Sequence, residues 1–203
     1  NLPAGVSFND AMNVAGAAGK LQTIDFTFDL TEPYTIWSGM IAALFLFLSY
    51  FGCDQSQVQR YLTARSVDEG RVSLLMSAFL KIPMQFLFLL VGILVFVFYL
   101  FSTPPMIFNE EDVTRAAQVQ PLEHERLQGE FAEAHQLRHS AALRFIEERG
   151  SAEQVTARAN YIAANETYQD KRREATEFVR QTNGDSSFTD VNYVFPVFVL
   201  ENM

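Results

Sequence analysis

The sequence contains a single cysteine, Cys53, which excludes an intrachain disulfide and a metal site built from several cysteines. It also lacks a basic cluster, because 24 Asp and Glu outnumber 15 Lys and Arg for a net charge of −9. Nucleic-acid binding requires Lys and Arg that neutralise phosphates, so we exclude that class. There is no Gly-rich phosphate loop and no G-x-S-x-G motif, and we expect no enzymatic activity. His135 and His139 are a histidine pair at helical spacing without a further ligand beside them, so no metal site is predicted.

Charge is missing from two long stretches. Residues 33–53 carry no charged side chain, and residues 72–108 carry only Lys81. A helix needs about 20 mostly apolar residues to cross a bilayer. We therefore predict two transmembrane helices within 33–104, joined by a short polar loop at 54–71. A soluble helical domain with these stretches as its core is the disfavoured alternative, because uncharged runs of this length are typical of membrane spans.

The second predicted span carries signals at its start and in its interior. It runs from about Asp68 to Phe101, and Ser66 with Glu69 resembles a capping box at its beginning. Pro83 lacks an N–H group and predicts a kink inside the helix. A Ser-Thr-Pro-Pro sequence directly after Phe101 is expected to end it.

Basic residues predict the orientation in the membrane. The loop 54–71 contains three arginines, whereas residues 1–36 contain one lysine. By the positive-inside rule the loop is cytoplasmic. We therefore expect a multi-pass protein of the plasma membrane, namely a bacterial inner membrane, with an extracytoplasmic loop at 1–32 and an extracytoplasmic insert at 105–192.

The segment 105–192 holds most of the charged residues and predicts a helical hairpin. One helix spans about Pro121–Arg149, and a second begins after Ser151, with Gln154 completing a capping box, and ends near Gly184. Because about one residue separates the two helices, they are predicted to be antiparallel. Residues at 4,3 spacing predict a coiled-coil seam, with Leu127, Phe131, Ala134, Leu137, Ala141 and Phe145 on one helix and Ala157, Tyr161, Ala164, Tyr168, Ala175 and Phe178 on the other.

The two ends of the chain are predicted more coarsely. Residues 10–20 are expected to form a short helix, and alternating polarity in Thr23–Leu30 indicates an extended segment. Residues 193–203 are mostly apolar and are predicted to lead into a further transmembrane helix. Because the sequence starts at Asn1 without an initiator methionine, we expect an internal piece of a longer protein.

Lys81 is the one charged residue deep in a predicted span. A charge at membrane depth costs about 3 kcal/mol on insertion scales and commonly faces a polar cavity. Alternatively, its ammonium group snorkels to the cytoplasmic interface, because Arg71 lies only about 15 Å away along the helix. Both interpretations stay open, although the Phe79 carbonyl that Pro83 leaves without a donor slightly favours a cavity.

Polar residues follow the apolar run of the first span. We predict that its helix continues through Asp54, Gln55, Gln59 and Arg60. A polar helix face at this depth is typical of the inner mouth of a water-filled pathway. A solvated helix end gives the same pattern and is the favoured interpretation from the pattern alone.

The stretch Ser49–Ser66, SYFGCDQSQVQRYLTARS, resembles the sodium/solute symporter family, which includes the sodium–glucose cotransporters. The family shows an aromatic-rich helix end, then Asp-Gln, Val-Gln-Arg, a Leu and Ala-Lys/Arg. The segment Leu80–Met84, LKIPM, resembles the family's Leu-Lys segment, with the proline one residue nearer to the lysine than in sugar transporters. Tyr193–Pro196 resembles the lead-in to the following helix.

This resemblance implies a LeuT-like fold of two inverted helical repeats with the solute near the midplane of the membrane. By position, Tyr50 matches the aromatic residue that closes the inner side of the solute site, and Lys81 matches a lysine at that site. Phe51 stands where sugar transporters have Trp, and Phe47 where they have a polar residue. Since a hydroxyl-rich solute needs polar partners, the loss of this polar residue weakens the case for a sugar. Sodium is the implied coupling ion, with its ligands on helices outside this chain.

We therefore predict an all-α membrane protein fragment, with two transmembrane helices of a LeuT-like inverted-repeat core and an external antiparallel helical hairpin. The predicted function is sodium-coupled symport of a small organic solute by alternating access, with solute, sodium and the lipid bilayer as partners. The alternative is a transporter-like membrane receptor or scaffold that acts through the hairpin. In that case the hairpin binds a protein partner or a second copy of itself.

Overall fold

The computed structural model describes residues 6–21, 35–55, 58–59, 63 and 66–202, without the side chains of Phe51 and Ala78. Within these ranges the chain forms helices and no strand, so the all-α prediction is confirmed for the described residues. The helices are α1 (Phe8–Ala17), α2 (Ile36–Gly52), α3 (Val67–Phe101), α4 (Glu110–Val119), α5 (Pro121–Glu147), α6 (Gln154–Asn183), a 3₁₀ helix (Val191–Tyr193) and α7 (Val194–Asn202).

The chain divides into two compact units. Residues 22–91 form one unit, here called the apolar unit, and residues 1–21 with 92–203 form the other, here called the polar unit. Helix α1 therefore belongs to the same unit as the predicted insert at 105–192.

Helix α2 begins with a capping box and is apolar along its length. The Thr35 side chain accepts a hydrogen bond from the Ser38 N–H, and the Ser38 hydroxyl accepts one from the Thr35 N–H. With 17 residues, the helix is about 26 Å long, slightly less than the roughly 30 Å of a hydrocarbon core. It is thus a shorter apolar helix, and its role as a span stays a prediction.

Helix α2 ends earlier than predicted. Its last residue is Gly52, and the N–H groups of Cys53 and Asp54 both donate to the Ser49 carbonyl, at 3.0 and 3.2 Å. The predicted continuation of this helix through Asp54 is therefore wrong. Glycine is a weak helix former, so the chain turns where the apolar side chains stop. Arg60, the far end of that prediction, lies outside the described residues.

Helix α3 is a clear candidate for a membrane span. It has 35 residues, about 52 Å, and among the described helices it is the one long and apolar enough to cross a bilayer. Only 22% of its apolar window is buried within the structure, whereas the core helix of a soluble protein is mostly buried. The soluble interpretation therefore leaves a large apolar surface unexplained.

The ends of α3 follow the sequence signals. The Ser66 hydroxyl accepts a hydrogen bond from the Glu69 N–H at 3.2 Å, which caps the first turn. Pro83 lies inside the helix, which continues on both sides of it. After Phe101 the Ser102 N–H and hydroxyl both donate to the Phe98 carbonyl, and the Pro-Pro sequence prevents a further turn.

Helices α5 and α6 pack side by side in opposite directions. Arg126 near the start of α5 pairs with Glu174 near the end of α6, at 2.9 Å, while the Phe145 and Tyr161 rings stack at the other end. Lys171 adds a second bridge to Glu130 on α5, at 2.6 Å. These contacts therefore hold the two helices together near both ends of the pair.

The connection between α5 and α6 differs from the prediction. Six residues separate Glu147 from Gln154, and Gly150 adopts a left-handed backbone conformation with φ 78°. The Gln154 side chain accepts the Gly150 N–H, and the Ser151 hydroxyl accepts the Glu153 N–H. The predicted capping box of Ser151 and Gln154 is therefore wrong, because these two side chains stabilise the turn instead.

The buried face of α5 is shifted from the predicted seam in its middle. Arg138 and Ala142 are buried, whereas Leu137 is 55% exposed and Ala141 is half-buried. Arg138 takes a core position because its guanidinium packs on the Tyr168 ring, a contact that a pattern of apolar residues does not reveal. On α6 the predicted residues Ala157, Tyr161, Tyr168, Ala175 and Phe178 are buried.

Two short helices complete the polar unit. Helix α1 begins with a capping box of Ser7 and Asp10 and packs Val14 against Leu100 and Phe145. Helix α4, capped by Asn109, was not predicted, and its Ala116 joins the main core with residues of α5 and α6. The predicted lead-in at 193–203 contains α7, and the predicted extended segment Thr23–Leu30 lies outside the described residues.

Candidate functional site

The structure brings together two residues that the resemblance places at the solute site. The Lys81 Nζ atom lies 5.6 Å from the centroid of the Tyr50 ring. Tyr50 is in the last turn of α2 and half-buried, and Lys81 is in the interior of α3. An ammonium group at this distance from an aromatic face is attracted by the ring quadrupole. The contact therefore joins α2 and α3 of the apolar unit through a cation–π interaction.

The surroundings of Lys81 on α3 are apolar. Phe79, Leu80 and Ile82 are 74%, 62% and 62% exposed, so the ammonium group lies on a surface that is otherwise hydrocarbon. Pro83 follows two residues later and leaves the Phe79 carbonyl without its helical donor. This part of α3 thus offers one positive charge and one backbone acceptor within a single turn.

The other predicted solute-site residues lie in α2. Phe47 is three residues before Tyr50, which places both on one helix face, and its side chain is 55% exposed. Phe51 is also in α2, but its side chain is outside the described part of the structure. The described aromatic face therefore consists of Phe47 and Tyr50.

The predicted pathway motif follows the end of α2. Asp54 is half-buried, and its carbonyl accepts the Val58 N–H at 3.0 Å. Gln55 and Gln59 are exposed, and Arg60 lies outside the described residues. Exposed amides are consistent both with a solvated helix end and with the inner mouth of a water-filled pathway. The role of these residues therefore stays a prediction.

The histidine pair of α5 is part of the packing in the polar unit. The two rings stack at 6.4 Å between centroids, and the His135 Nε2 donates to the Tyr99 carbonyl at 3.3 Å. Burial and the nearby Arg138 guanidinium lower the pKa of His135, which favours its neutral form. Across the described ranges, no group of three or more His, Cys, Asp or Glu side chains is placed to hold a metal ion.

Sequence reasoning missed a buried arginine in the polar unit. Arg138 is 2% exposed, its Nη2 donates to the Tyr99 carbonyl at 2.9 Å, and its guanidinium lies 3.6 Å from the centroid of the Tyr168 ring. Burial lowers the pKa of this guanidinium. The only sequence signal is an arginine beside a predicted seam position, which is usually an exposed residue.

Comparison with known proteins relates part of this sequence to transporters. Over 94 residues the chain is 32% identical to the human sodium/iodide cotransporter, covering 43% of this chain and 14% of that protein. Over 67 residues it is 28% identical to the mouse sodium-coupled monocarboxylate transporter 2, covering 33% of this chain and 11% of that protein. The chain thus spans a small part of the length of these relatives. No family model matches it, and no solved structure matches it significantly.

The long apolar helix and these relatives define the class, which is that of helical membrane proteins related to sodium-coupled transporters. Both relatives are members of the sodium/solute symporter family, and over its matched part the chain is related to that family. The resemblance drawn from Ser49–Ser66 and Leu80–Met84 is thereby confirmed.

Proposed function

We propose that the chain is part of a sodium-coupled symporter that moves a small organic anion across the membrane. The observation that carries this proposal is the contact of Lys81 with Tyr50, 5.6 Å from ammonium to ring centroid, on two apolar helices. An ionisable residue within a membrane-spanning segment commonly marks a solute or ion pathway. The contact supplies a positive charge for the solute and an aromatic wall beside it.

The chemistry of this face favours an anion over a sugar. Lys81 offers a positive charge, whereas Phe47 offers no hydrogen bond to a hydroxyl-rich solute. The two relatives are named for iodide and for monocarboxylates, both of which are anions. We therefore assign the solute to the small monocarboxylates.

The proposed mechanism is alternating access in a LeuT-like core. Tyr50 acts as an inner gate, because it stands at the end of α2 beside the predicted cytoplasmic loop, and Lys81 forms a polar wall of the site. Asp54, Gln55, Gln59 and Arg60 line the inner mouth. Sodium binds to helices outside this chain, and its gradient drives uptake.

The proposed location is the plasma membrane, a bacterial inner membrane, with the loop 54–71 in the cytoplasm. The insert at 105–192 then lies outside the cytoplasm. This orientation rests on the three arginines of the loop against one lysine in residues 1–36.

Uptake into vesicles tests the proposal. The whole protein containing this chain is reconstituted, and entry of labelled lactate and glucose is measured under an inward sodium gradient and under a matched potassium gradient. We expect lactate to accumulate only with sodium and glucose not to accumulate. Lactate entry that is equal in sodium and potassium, or no entry, would contradict sodium-coupled anion transport.

A second function is supported by the polar unit. It is a packed helical body with its own core, which a minimal transport loop does not need. A transporter-like receptor or scaffold would use this body to bind a protein partner or a second copy. Further transmembrane helices after Met203 would favour the symporter, whereas a cytoplasmic signalling domain there would favour the receptor.

A further inference from the structure

The polar unit contains a cavity of about 380 Å³ with an unusual lining. Four aromatic side chains line it, Phe96, Tyr99, Phe108 and Tyr168. Three basic side chains also line it, Lys20, Arg138 and Arg172. Its described lining includes no Asp or Glu. The volume is within the roughly 300–1,000 Å³ of sites for small molecules.

Only one of the three basic groups is neutralised by the protein. Arg172 forms an ion pair with Asp190 at 2.8 Å, and Asp190 also accepts the Phe108 N–H at 3.0 Å. In the described chain, no carboxylate forms an ion pair with Arg138 or with Lys20. The cavity therefore carries two positive charges that the surrounding residues leave without an acidic partner.

Of Arg138 and Lys20, Arg138 is the stronger evidence for a bound anion, because it is buried. Its Nη2 donates to the Tyr99 carbonyl and its face packs on Tyr168, but its Nε has no hydrogen-bond partner among the described residues. Isolating a charge from water is costly unless an opposite charge compensates. The Tyr99 hydroxyl, in the same lining, is also buried without a partner.

Each basic group of the cavity lies close to an aromatic ring of its lining. The Lys20 Nζ lies 5.5 Å from the Phe96 ring centroid, and the Arg138 guanidinium carbon lies 5.9 Å from the same centroid. In the same lining, the Arg172 guanidinium carbon lies 4.9 Å from the Phe108 centroid. A ligand in this space meets positive charge and flat apolar surface together.

From this arrangement we infer that the polar unit binds a small organic carboxylate with an apolar body. The carboxylate faces Arg138 and Lys20, and the apolar body packs between the aromatic rings. A guanidinium presents a planar fork that matches the two oxygens of a carboxylate. The apolar walls disfavour a compact hydrated anion such as inorganic phosphate, which has no surface to bury there. This site is separate from Tyr50 and Lys81 and does not rest on the proposed transport function.

Calorimetric titration of benzoate tests the site. The full chain is studied in nanodiscs of phosphatidylcholine, with benzyl alcohol as the neutral analogue and inorganic phosphate as the polar anion. Arg138→Gln and Lys20→Gln remove one charge each. Arg144→Gln is the matched control, because Arg144 is on the same helix, is 63% exposed and lies outside the cavity lining.

We expect benzoate to bind saturably and the neutral analogue and phosphate not to bind. Arg138→Gln should raise the benzoate Kd about tenfold or more, since a buried charged hydrogen bond is lost. Lys20→Gln should raise it about threefold, as for an exposed charge, and Arg144→Gln should leave it unchanged. If Arg138→Gln does not fold, the benzoate Kd of the exposed Lys20→Gln variant decides whether the inference holds.

Several results would overturn the inference. No benzoate binding, equal binding of benzyl alcohol or phosphate, or a Kd that Lys20→Gln and Arg138→Gln leave unchanged would each do so. Replacing part of the phosphatidylcholine with phosphatidylglycerol distinguishes a lipid source. Loss of benzoate binding in those nanodiscs would assign the cavity to an anionic lipid headgroup and contradict a small carboxylate.

Discussion

At the scale of single residues, the contact of Lys81 with Tyr50 carries the proposed transport function. The ammonium group gains attraction from the ring, whereas the neighbouring Leu80 and Ile82 side chains are saturated hydrocarbon and offer none of comparable strength. A cation held in this way has unused donors for a passing anion. Substitution of Lys81 therefore tests its role directly.

Lys81→Met is expected to raise the KM for an anionic solute about tenfold or more, because a charged hydrogen bond to the solute is lost. Lys81→Arg should retain most of the affinity, since the charge remains. Arg71→Met is the matched control, because Arg71 is on the same helix, is 73% exposed and pairs with Asp68 at the helix start. Uptake kinetics in reconstituted vesicles provide the measurement. An equal KM for wild type and Lys81→Met would show that Lys81 only snorkels.

His135 predicts a pH dependence of stability. Burial and Arg138 lower its pKa from the usual 6.5, so below about pH 6.5 the unfolded chain binds more protons than the folded one. The free energy of unfolding should therefore fall as the pH drops from 7 towards 5. In His135→Gln this component should be missing, while His124→Gln on the same helix should retain it. Thermal unfolding followed by circular dichroism at each pH checks this, and identical profiles for all three proteins would contradict it.

Arg138 shows what sequence cannot reveal at this scale. The apolar spacing along α5 predicts Leu137 as a seam residue, and the neighbouring arginine appears exposed by type. Arg138 is buried in place of Leu137 because of its contacts with Tyr99 and Tyr168. These two residues are distant in sequence and meet Arg138 only in the folded unit. By contrast, Lys81 could be singled out from sequence, because a single charge in an apolar run is conspicuous on its own.

At the scale of helices, long periodic segments could be predicted, whereas some of their ends could not. The positions of α3, α5 and α6 follow from their hydrophobic patterns, and the beginning of α3 also follows from its Ser66 cap. The ten-residue helix α4 was not predicted, although the sequence offers signals for it in the Asn109 N-cap and the acidic first turn. The end of α2 at Gly52 and the turn at Gly150 depend on local hydrogen bonds that composition does not specify.

Two glycines give opposite predictions for helix stability. Gly184 follows α6 with φ 71°, so Gly184→Ala should cost about 1–2 kcal/mol of unfolding free energy. Gly129 lies inside α5, and a Cβ there meets no atom within 4 Å, so Gly129→Ala should gain up to about 1 kcal/mol. Denaturant unfolding of both variants against wild type measures the two changes. A shift of the same sign for both would contradict the backbone assignment.

At the scale of the whole molecule, the composition conceals two chemically different bodies. The near-neutral mean hydropathy of +0.04 averages an apolar unit with a polar, acidic one. The sequence motif indicates the family to which the matched part of the chain is related. Neither source indicates the cavity of the polar unit, because its lining is assembled from five separate parts of the chain.

The central claim is that the face of α2 formed by Phe47 and Tyr50 borders the solute pathway. Thiol labelling tests it most directly, with Phe47→Cys in a background that carries Cys53→Ser and no other reactive cysteine. Leu48→Cys is the control, because Leu48 is about 160° around the helix from Tyr50 and is 61% exposed.

A membrane-impermeant thiol reagent applied from the cytoplasmic side should label Phe47→Cys, and sodium with lactate should slow that labelling severalfold. Leu48→Cys should stay unreactive, because it faces lipid. Labelling of Phe47→Cys at one rate with and without sodium and lactate, or equal protection of Leu48→Cys, would contradict the account.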